Sequence, residues 1–483
     1  MTELTLKPEQ RHLVDLAVAE PTRAALVGDE TGFGKTLSAV EIAKALAAKT
    51  VLVIAPLNTK DSWTSTFTRQ NFPHADLRQI DSSKAGKAAY ADLLSGTPGV
   101  YFIGHSMFGL SSVAKPANPE YDKNGNPHPR AGKGERKAWT NWTTVSKHLD
   151  LAILDESHQG ALNRDNVTVK ALRTLKPGFK LAMSATPAGN QFSGLWPVCR
   201  WLWPDARNEA GELYVDSSLW RWAATWATLE YNEHSASKKK IAGERVPGSF
   251  VASLPCYVRR ESFKVPVDTF TVQVPLTHEQ RTLWDDMKHK SLMWLSERPY
   301  VAELPIVQGT RLRQIALGEV TFNDDGEIDF AMDCASNKAD TCAKIIQRET
   351  GKPIVFFTTS QKFARVLANR LGPDAKEWSG KISVKDRDTI KEQFIAGEVK
   401  YIVATIASIN AGVDGLQKVC HTEVWLDQAD GVKNIQASGR LNRQGQPAER
   451  ITRYVLHSDP SDDPKLAEKL VLQAVEMRAT LSK

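Results

Sequence analysis

Asp29-Glu30-Thr31-Gly32-Phe33-Gly34-Lys35-Thr36 is the stretch on which the reading of this chain turns. The apolar run Ala24-Ala25-Leu26-Val27 leads into it, and a helical pattern over residues 37 to 48 leads out. Strand, glycine-rich turn and helix, in that order, is the context a phosphate-binding loop requires. Gly32 and Gly34 let the backbone turn tightly and bring N–H groups against phosphate oxygens. Lys35 reaches the β- and γ-phosphates as a point charge, the Thr36 hydroxyl is a ligand for Mg²⁺, and the new helix points its positive end at the anion. The usual loop has glycine five residues ahead of its Gly-Lys-Thr, where this chain has Asp29. The competing reading is a glycine-rich turn whose lysine is merely solvated.

With 483 residues the chain is too long for one ordinary core, and two to four domains are expected. Hydrophobic and charged fractions of 41% and 24% are those of a soluble globular protein. No apolar run is long enough to span a membrane, and the N-terminus lacks a charged-then-apolar leader. Cys199, Cys256, Cys334, Cys342 and Cys420 are scattered without short paired spacing, which argues against a zinc ribbon or a disulfide scaffold and for a reducing, cytoplasmic setting. A net charge of +6 permits a polyanion partner without demanding one.

Ahead of the loop, Lys7-Pro8-Glu9-Gln10 opens a helix, and the Gln10 amide is either a reader of an adenine edge or an ordinary surface side chain. Behind it, residues 51–56 and 101–106 read as buried parallel strands. Asn58, Thr59, His105 and Ser106 then lie just past strand ends, where open α/β sheets bind ligands; ordinary turn chemistry explains each of them equally well. Residues 112–147 read as a long loop or insertion in which Lys133, Arg136 and Lys137 either meet phosphates or are solvated.

The second strong signal is Leu151-Ala152-Ile153-Leu154-Asp155-Glu156-Ser157-His158, a strand ending in two carboxylates. Asp155 suits Mg²⁺ through its water shell, and Glu156 suits the orientation and deprotonation of an attacking water. A further strand, residues 181–183, ends at Ser184 and Thr186. The helical spacing of Trp196, Trp201, Trp203, Trp220, Trp222 and Trp226 favours core packing over base stacking. Lys238-Lys239-Lys240 is either a solvated loop or a contact to a nucleic-acid backbone. After a crossing near residues 258–274, a helical stretch is expected over residues 278–295, and α/β alternation restarts with strands at 354–357, 401–405 and 423–426. No second phosphate loop accompanies it. Arg440 and Arg443, three apart and expected on one helical face, suit arginine fingers that neutralise charge during phosphoryl transfer. A terminal helix is expected over residues 464–481.

In this order the segments resemble a superfamily 2 helicase, specifically the Swi/Snf-type double-stranded DNA translocases, from about Pro8 to Gln446. Asp29 is what that family carries at the first loop position. Gln10, Ala55-Pro56-Leu57 with Trp63, Asp155-Glu156-Ser157-His158, Ala185-Thr186-Pro187 with Asn190, and Leu254-Pro255 with Arg259-Arg260 match successive motifs. So do Leu312-Arg313-Gln314-Ile315, Ala411-Gly412 with Gly415-Leu416, and Gln436, Gly439, Arg440, Arg443, Gly445 and Gln446. Ser184-Ala185-Thr186, Val413-Asp414-Gly415 and Gln428-Ala429-Asp430 depart from the usual Swi/Snf-type forms, which points to a compact bacterial or phage-type member rather than a nucleosome remodeller.

The resemblance implies an α/β fold of two RecA-like parallel-sheet lobes in tandem, with helical insertions. Lobe 1 is expected over residues 1–265, with basic insertions near 112–147 and 205–250, and lobe 2 over residues 266–483. It implies ATP and Mg²⁺ as ligands, with Gln10, Asp29, Gly32, Gly34, Lys35, Thr36, Gly412, Asp414 and Gln436 against the nucleotide. Thr36 and Asp155 would hold the metal, and Lys35, Asp155, Glu156, Arg440 and Arg443 would serve catalysis. The implied partner is DNA, bound without sequence preference through Thr59, His105, Asn190, Thr405, Lys133, Arg136 and Lys137. The expected activity is a DNA-dependent ATPase that moves on duplex or branched DNA, as in branch migration or fork remodelling. Alternatives are a motor that strips a protein such as a polymerase from DNA, or a nucleotide-gated DNA clamp.

Overall fold

Short unbroken apolar runs in this sequence become parallel strands, because only a strand covered by helices on both faces tolerates apolar side chains at every position. The computed structural model describes residues 4–115, 137–161, 166–233, 237–261, 264–295, 298–302, 304–323, 327–409, 413–459 and 463–482. Two compact units divide the chain: Met1–Ser262 with Val475–Lys483, and Phe263–Ala474.

The first unit is built on β1 (Ala24–Val27), β2 (Thr50–Ala55), β3 (Leu77–Gln79), β4 (Gly99–Gly104), β5 (Leu151–Leu154), β6 (Phe179–Met183) and β9 (Tyr257–Val258). They form one all-parallel sheet in the order β3-β4-β2-β5-β6-β1-β9. Strands β1, β2, β4 and β5 are buried at every position. Between β6 and β9 the chain forms an antiparallel hairpin of β7 (Ala227–Tyr231) and β8 (Lys239–Glu244), which puts Lys239 and Lys240 on an exposed strand. The tryptophans behind it pack inward. Trp196, Trp201, Trp203 and Trp222 are buried, Trp222 stacks on Phe192 with centroids 4.8 Å apart, and Trp226 meets the edge of Phe250 at 5.4 Å.

The second unit repeats the plan with β10 (Val267–Pro275), β15 (Ile354–Thr358), β16 (Ala375–Trp378), β17 (Tyr401–Thr405), β18 (Thr422–Trp425) and β19 (Ile451–Asp459). All are parallel, in the order β10-β19-β18-β15-β17-β16. Two small antiparallel pairs, β11 (Leu292–Leu295) with β12 (Arg298–Val301) and β13 (Thr321–Phe322) with β14 (Ile328–Asp329), lie between β10 and β15 in the chain. The helix expected over residues 278–295 stops at Lys290. Ser291 takes a left-handed φ of 52° as its cap, and the apolar Leu292–Leu295 pairs as a strand instead. Two parallel-sheet units with helical insertions are the expected tandem RecA-like arrangement.

The terminal helix, Asp463–Leu481, ends on the first unit's residues. Tyr257 Oη donates to the Leu481 carbonyl at 2.9 Å, and Arg478 forms a two-pronged pair with Glu261 at 3.0 and 2.7 Å. Residues 475–483 therefore group with the unit before them in space, whereas the sequence reading placed them with lobe 2. All five cysteines are buried and free. Among the described residues no helix is long and apolar enough to cross a membrane.

At the strand ends of the second unit lies a buried charge network. Lys338 is 2% exposed and donates to the Leu426 carbonyl at 2.5 Å. Burial pushes the neighbouring Asp427 above the usual carboxylate range, against the opposing pull of Thr359 and Lys338. Removing one member of such a set strands the other charge. Lys338→Met is expected to lower stability by about 3–5 kcal/mol, read from urea unfolding, and the double variant Lys338→Met/Asp427→Leu to recover part of the loss.

Candidate active site

The carboxyl ends of β1 and β5, flanking β6, carry the loop and the carboxylate pair, which is where open parallel sheets bind ligands. Gly32 and Gly34 adopt φ of 85° and 83°. The Gly34 position has no room for a side chain, since a Cβ there would come within 2.4 Å of Gln10 Nε2. Gln10 is buried over the loop, with Nε2 donating to the Phe33 carbonyl at 3.0 Å and Oε1 accepting from Lys7 N at 2.9 Å. Lys35 opens the helix Lys35–Ala45, and its Nζ is folded back onto the carbonyls of Asp29 and Glu30 at 2.8 and 3.2 Å. Thr36 is partly exposed in the first turn. Asp29, read from sequence as nucleotide-facing, is fully buried and its carboxylate is taken by Arg260.

Asp155 is held from three directions. Its Oδ2 accepts from Trp63 Nε1 at 3.2 Å, its Oδ1 accepts from Glu156 N at 2.9 Å, and its carbonyl lies 2.8 Å from His105 Nε2. Burial and the adjacent Glu156 carboxylate push its pKa up to about 7, while Lys35 pulls it down. Glu156 has φ of 45°, a left-handed conformation rare for a non-glycine residue and the kind of local cost that functional sites retain. Its Oε2 accepts no hydrogen bond among the described residues, though His158 Nδ1 lies 3.3 Å away. That same Nδ1 is 2.8 Å from Ser184 Oγ, which ties the carboxylate pair to the end of β6. Ser157 Oγ and Thr186 Oγ1 are also buried without a hydrogen-bond partner among the described residues.

In the second unit the helix Gly431–Ser438 ends before the arginines. Arg440 and Arg443 therefore do not share a helical face. They sit in the turns that follow and converge on one acceptor, the Val413 carbonyl, at 3.2 and 3.4 Å. Arg443 also pairs with Asp414 at 3.3 Å, and Gln436 is buried on the preceding helix. Gly412 lies outside the described residues.

The residues expected to touch DNA separate into groups. Lys133 and Arg136 lie outside the described residues, and Lys137 and Asn190 are exposed. Thr59 spends its hydroxyl on the Pro56 carbonyl at 2.7 Å, and Thr405 is buried with its Oγ1 on Ser408 at 2.7 Å. His105 faces the Asp155 carbonyl. Trp63 and His105 are the supports of Asp155 that sequence reasoning did not assign. Their signal was position after strand ends: Trp63 in the helix Lys60–Arg69 that follows β2, and His105 just past β4.

Burial lowers the His105 pKa to about 4. Its folded value lies below the unfolded one of 6.5, so the unfolded chain binds more protons between the two. Stability is therefore expected to fall as pH drops from about 6.5 to 4. The urea midpoint of His105→Asn, compared with the parent across that window, should show a flatter decline.

Among the described residues no group of three or more His, Cys, Asp or Glu could hold a metal. A buried carboxylate, its pKa raised by burial and by a like neighbour and lowered by the loop's Lys35, beside which Thr36 offers a hydroxyl, instead suits Mg²⁺, which keeps most of its ligands as water and phosphate. Asp155 and Thr36 would hold it, and bound there it would supply positive charge against the phosphate oxygens.

Two family models match the chain. An SNF2-related domain covers residues 10–216, and a helicase conserved C-terminal domain covers residues 337–445. An uncharacterized ATP-dependent helicase of Mycoplasma genitalium is 24% identical over 312 residues, which is 62% of this chain and 28% of that protein. The chain thus spans well under two thirds of that relative's length. The Sulfolobus solfataricus SWI2/SNF2 ATPase core, solved in complex with double-stranded DNA, aligns with 99% of this chain and 94% of its own at 17% identity and a TM-score of 0.39. The chain thus carries an SNF2-related domain, within the first compact unit, and a helicase conserved C-terminal domain, within the second.

Proposed function

We propose that this chain hydrolyses Mg²⁺-ATP to drive translocation along duplex or branched DNA, moving the duplex rather than reading it. The observation that carries the reading is the half-site of the first unit, where the loop with Lys35 and Thr36 and the Asp155–Glu156 pair follow strands on either side of β6, near enough for Lys35 to act on the Asp155 charge. Glu156, whose Oε2 is buried without a hydrogen-bond partner among the described residues, is the base for the attacking water. Lys35 exchanges its two backbone carbonyls for phosphate oxygens on binding.

Contacts to DNA fall to exposed side chains, Lys137, Asn190 and Lys238–Lys240 among them, and through phosphates they impart little sequence preference and strong salt dependence. The test is displacement of the third strand from a duplex carrying a triplex block, run beside a forked duplex and a four-way junction. ATP-dependent loss of the third strand, or migration of the junction, supports translocation. Strand separation of the fork without triplex displacement contradicts it and indicates a conventional unwinding enzyme.

A further inference from the structure

The loop position where this chain departs from the usual glycine, Asp29, is braced from the far end of the first unit's sequence. Asp29 is 0% exposed, and among the described residues Arg260 supplies the hydrogen bonds to its carboxylate. Arg260 N and Nε donate to Asp29 Oδ1 at 2.9 and 3.0 Å, and Arg260 Nη2 donates to Oδ2. The same guanidinium lies 4.4 Å from the centre of the Phe33 ring, and its Nη1 donates to the Glu9 carbonyl, next to Gln10. Arg259 extends the brace. Its Nη1 donates to the carbonyls of Gly28 at 3.1 Å and Ala185 at 3.3 Å, and its Nη2 lies 3.8 Å from Glu30. Parallel pairing continues past the end of β1 into the loop itself, with Leu26, Gly28 and Glu30 donating to the carbonyls of Cys256, Val258 and Arg260 at 2.9, 2.7 and 3.1 Å.

We propose that Arg260 is a positioning residue that holds the nucleotide loop, through Asp29 and Phe33, in its phosphate-accepting shape. The inference rests on the ATPase reading above and concerns the same site. A loop with two left-handed glycines has many conformations to lose, and ordering it in advance lowers the cost of binding. The planar fork of arginine meets a carboxylate, a carbonyl and a ring face at once, which the point charge of lysine cannot do. Arg260 and Arg259 together also join the helix with Gln10, the loop with Lys35, and the stretch after β6 whose Ser184 contacts His158. Arg260 touches no reacting atom and acts through the loop.

The test is equilibrium binding of a fluorescent ATP analogue to the full chain, with thermal unfolding of the same samples. Arg260→Lys keeps the charge, Asp29→Asn keeps the size, and Arg478→Ala breaks the exposed Arg478–Glu261 pair as a control on the same segment. Arg260→Lys and Asp29→Asn are each expected to weaken binding about tenfold, as a loop ordered only a tenth of the time would. The double variant Asp29→Asn/Arg260→Lys should be scarcely weaker than either, because both act through one contact. Arg478→Ala should bind as the parent does. Parental binding in both single variants, even with lowered thermal midpoints, would show the pair to be scaffolding and overturn the inference. A parent chain that binds no ATP overturns the ATPase reading itself, and this inference with it.

Discussion

Lys35→Ala is expected to lower ATP turnover by about a thousandfold or more, with the fold retained. Two effects add. The first is loss of the point charge on the phosphates, the direct term in transfer. The second acts through Asp155. Lys35 is the cation that pulls the Asp155 pKa down against burial and the neighbouring Glu156 carboxylate. Without it Asp155 moves further up, to where a larger share is protonated at neutral pH and a hard cation finds less charge to bind. The fold loses little, because Lys35 is partly exposed and its Nζ bonds are to carbonyls of a loop. Turnover and far-ultraviolet circular dichroism on one preparation separate the two outcomes. A folded variant that hydrolyses at the parental rate would remove Lys35 from the site.

Glu156→Gln is expected to reduce turnover by about 10²–10⁴-fold while nucleotide binding is kept or tightened. The amide matches the carboxylate in shape but cannot take a proton from water. Removing the Glu156 charge also relieves Asp155 of the like neighbour that raises its pKa, so Asp155 becomes the better anion. The two substitutions thus push Asp155 in opposite directions, and their effects on binding differ in sign while both stop hydrolysis. Single-turnover kinetics with binding measured in parallel would read this. Parental single-turnover rates for Glu156→Gln would place the base on another residue.

The groups proposed to face the nucleotide were legible in sequence because each sits beside its own structural signal. Lys35 follows an apolar strand and two glycines, and Asp155 and Glu156 end a second strand. What holds them was not legible, because it depends on sheet order. His105 looked like a ligand-facing residue at a strand end, yet β4 lies two strands from β5, and that spacing turns its imidazole onto the Asp155 carbonyl. Arg260 stands 231 positions from Asp29, and only the pairing of β9 with β1 brings them together.

Local chemistry misled in two places. The apolar Leu292–Leu295 continues a helical pattern but follows a left-handed Ser291, and Arg440 and Arg443 keep helical spacing beyond the end of their helix. The edge strand β16, Ala375–Trp378, has a lysine and a glutamate between its buried ends and gives no unbroken apolar run to find.

ATP hydrolysis at this site is expected to be driven by duplex DNA. Steady-state turnover of the purified chain would be measured without polymer and with single-stranded DNA, duplex DNA, a four-way junction and RNA, each at two salt concentrations. Strong stimulation by duplex or junction, weakened at the higher salt and absent in Lys35→Ala, is the predicted result. Stimulation by RNA or single strands alone, or turnover indifferent to every polymer, would contradict it.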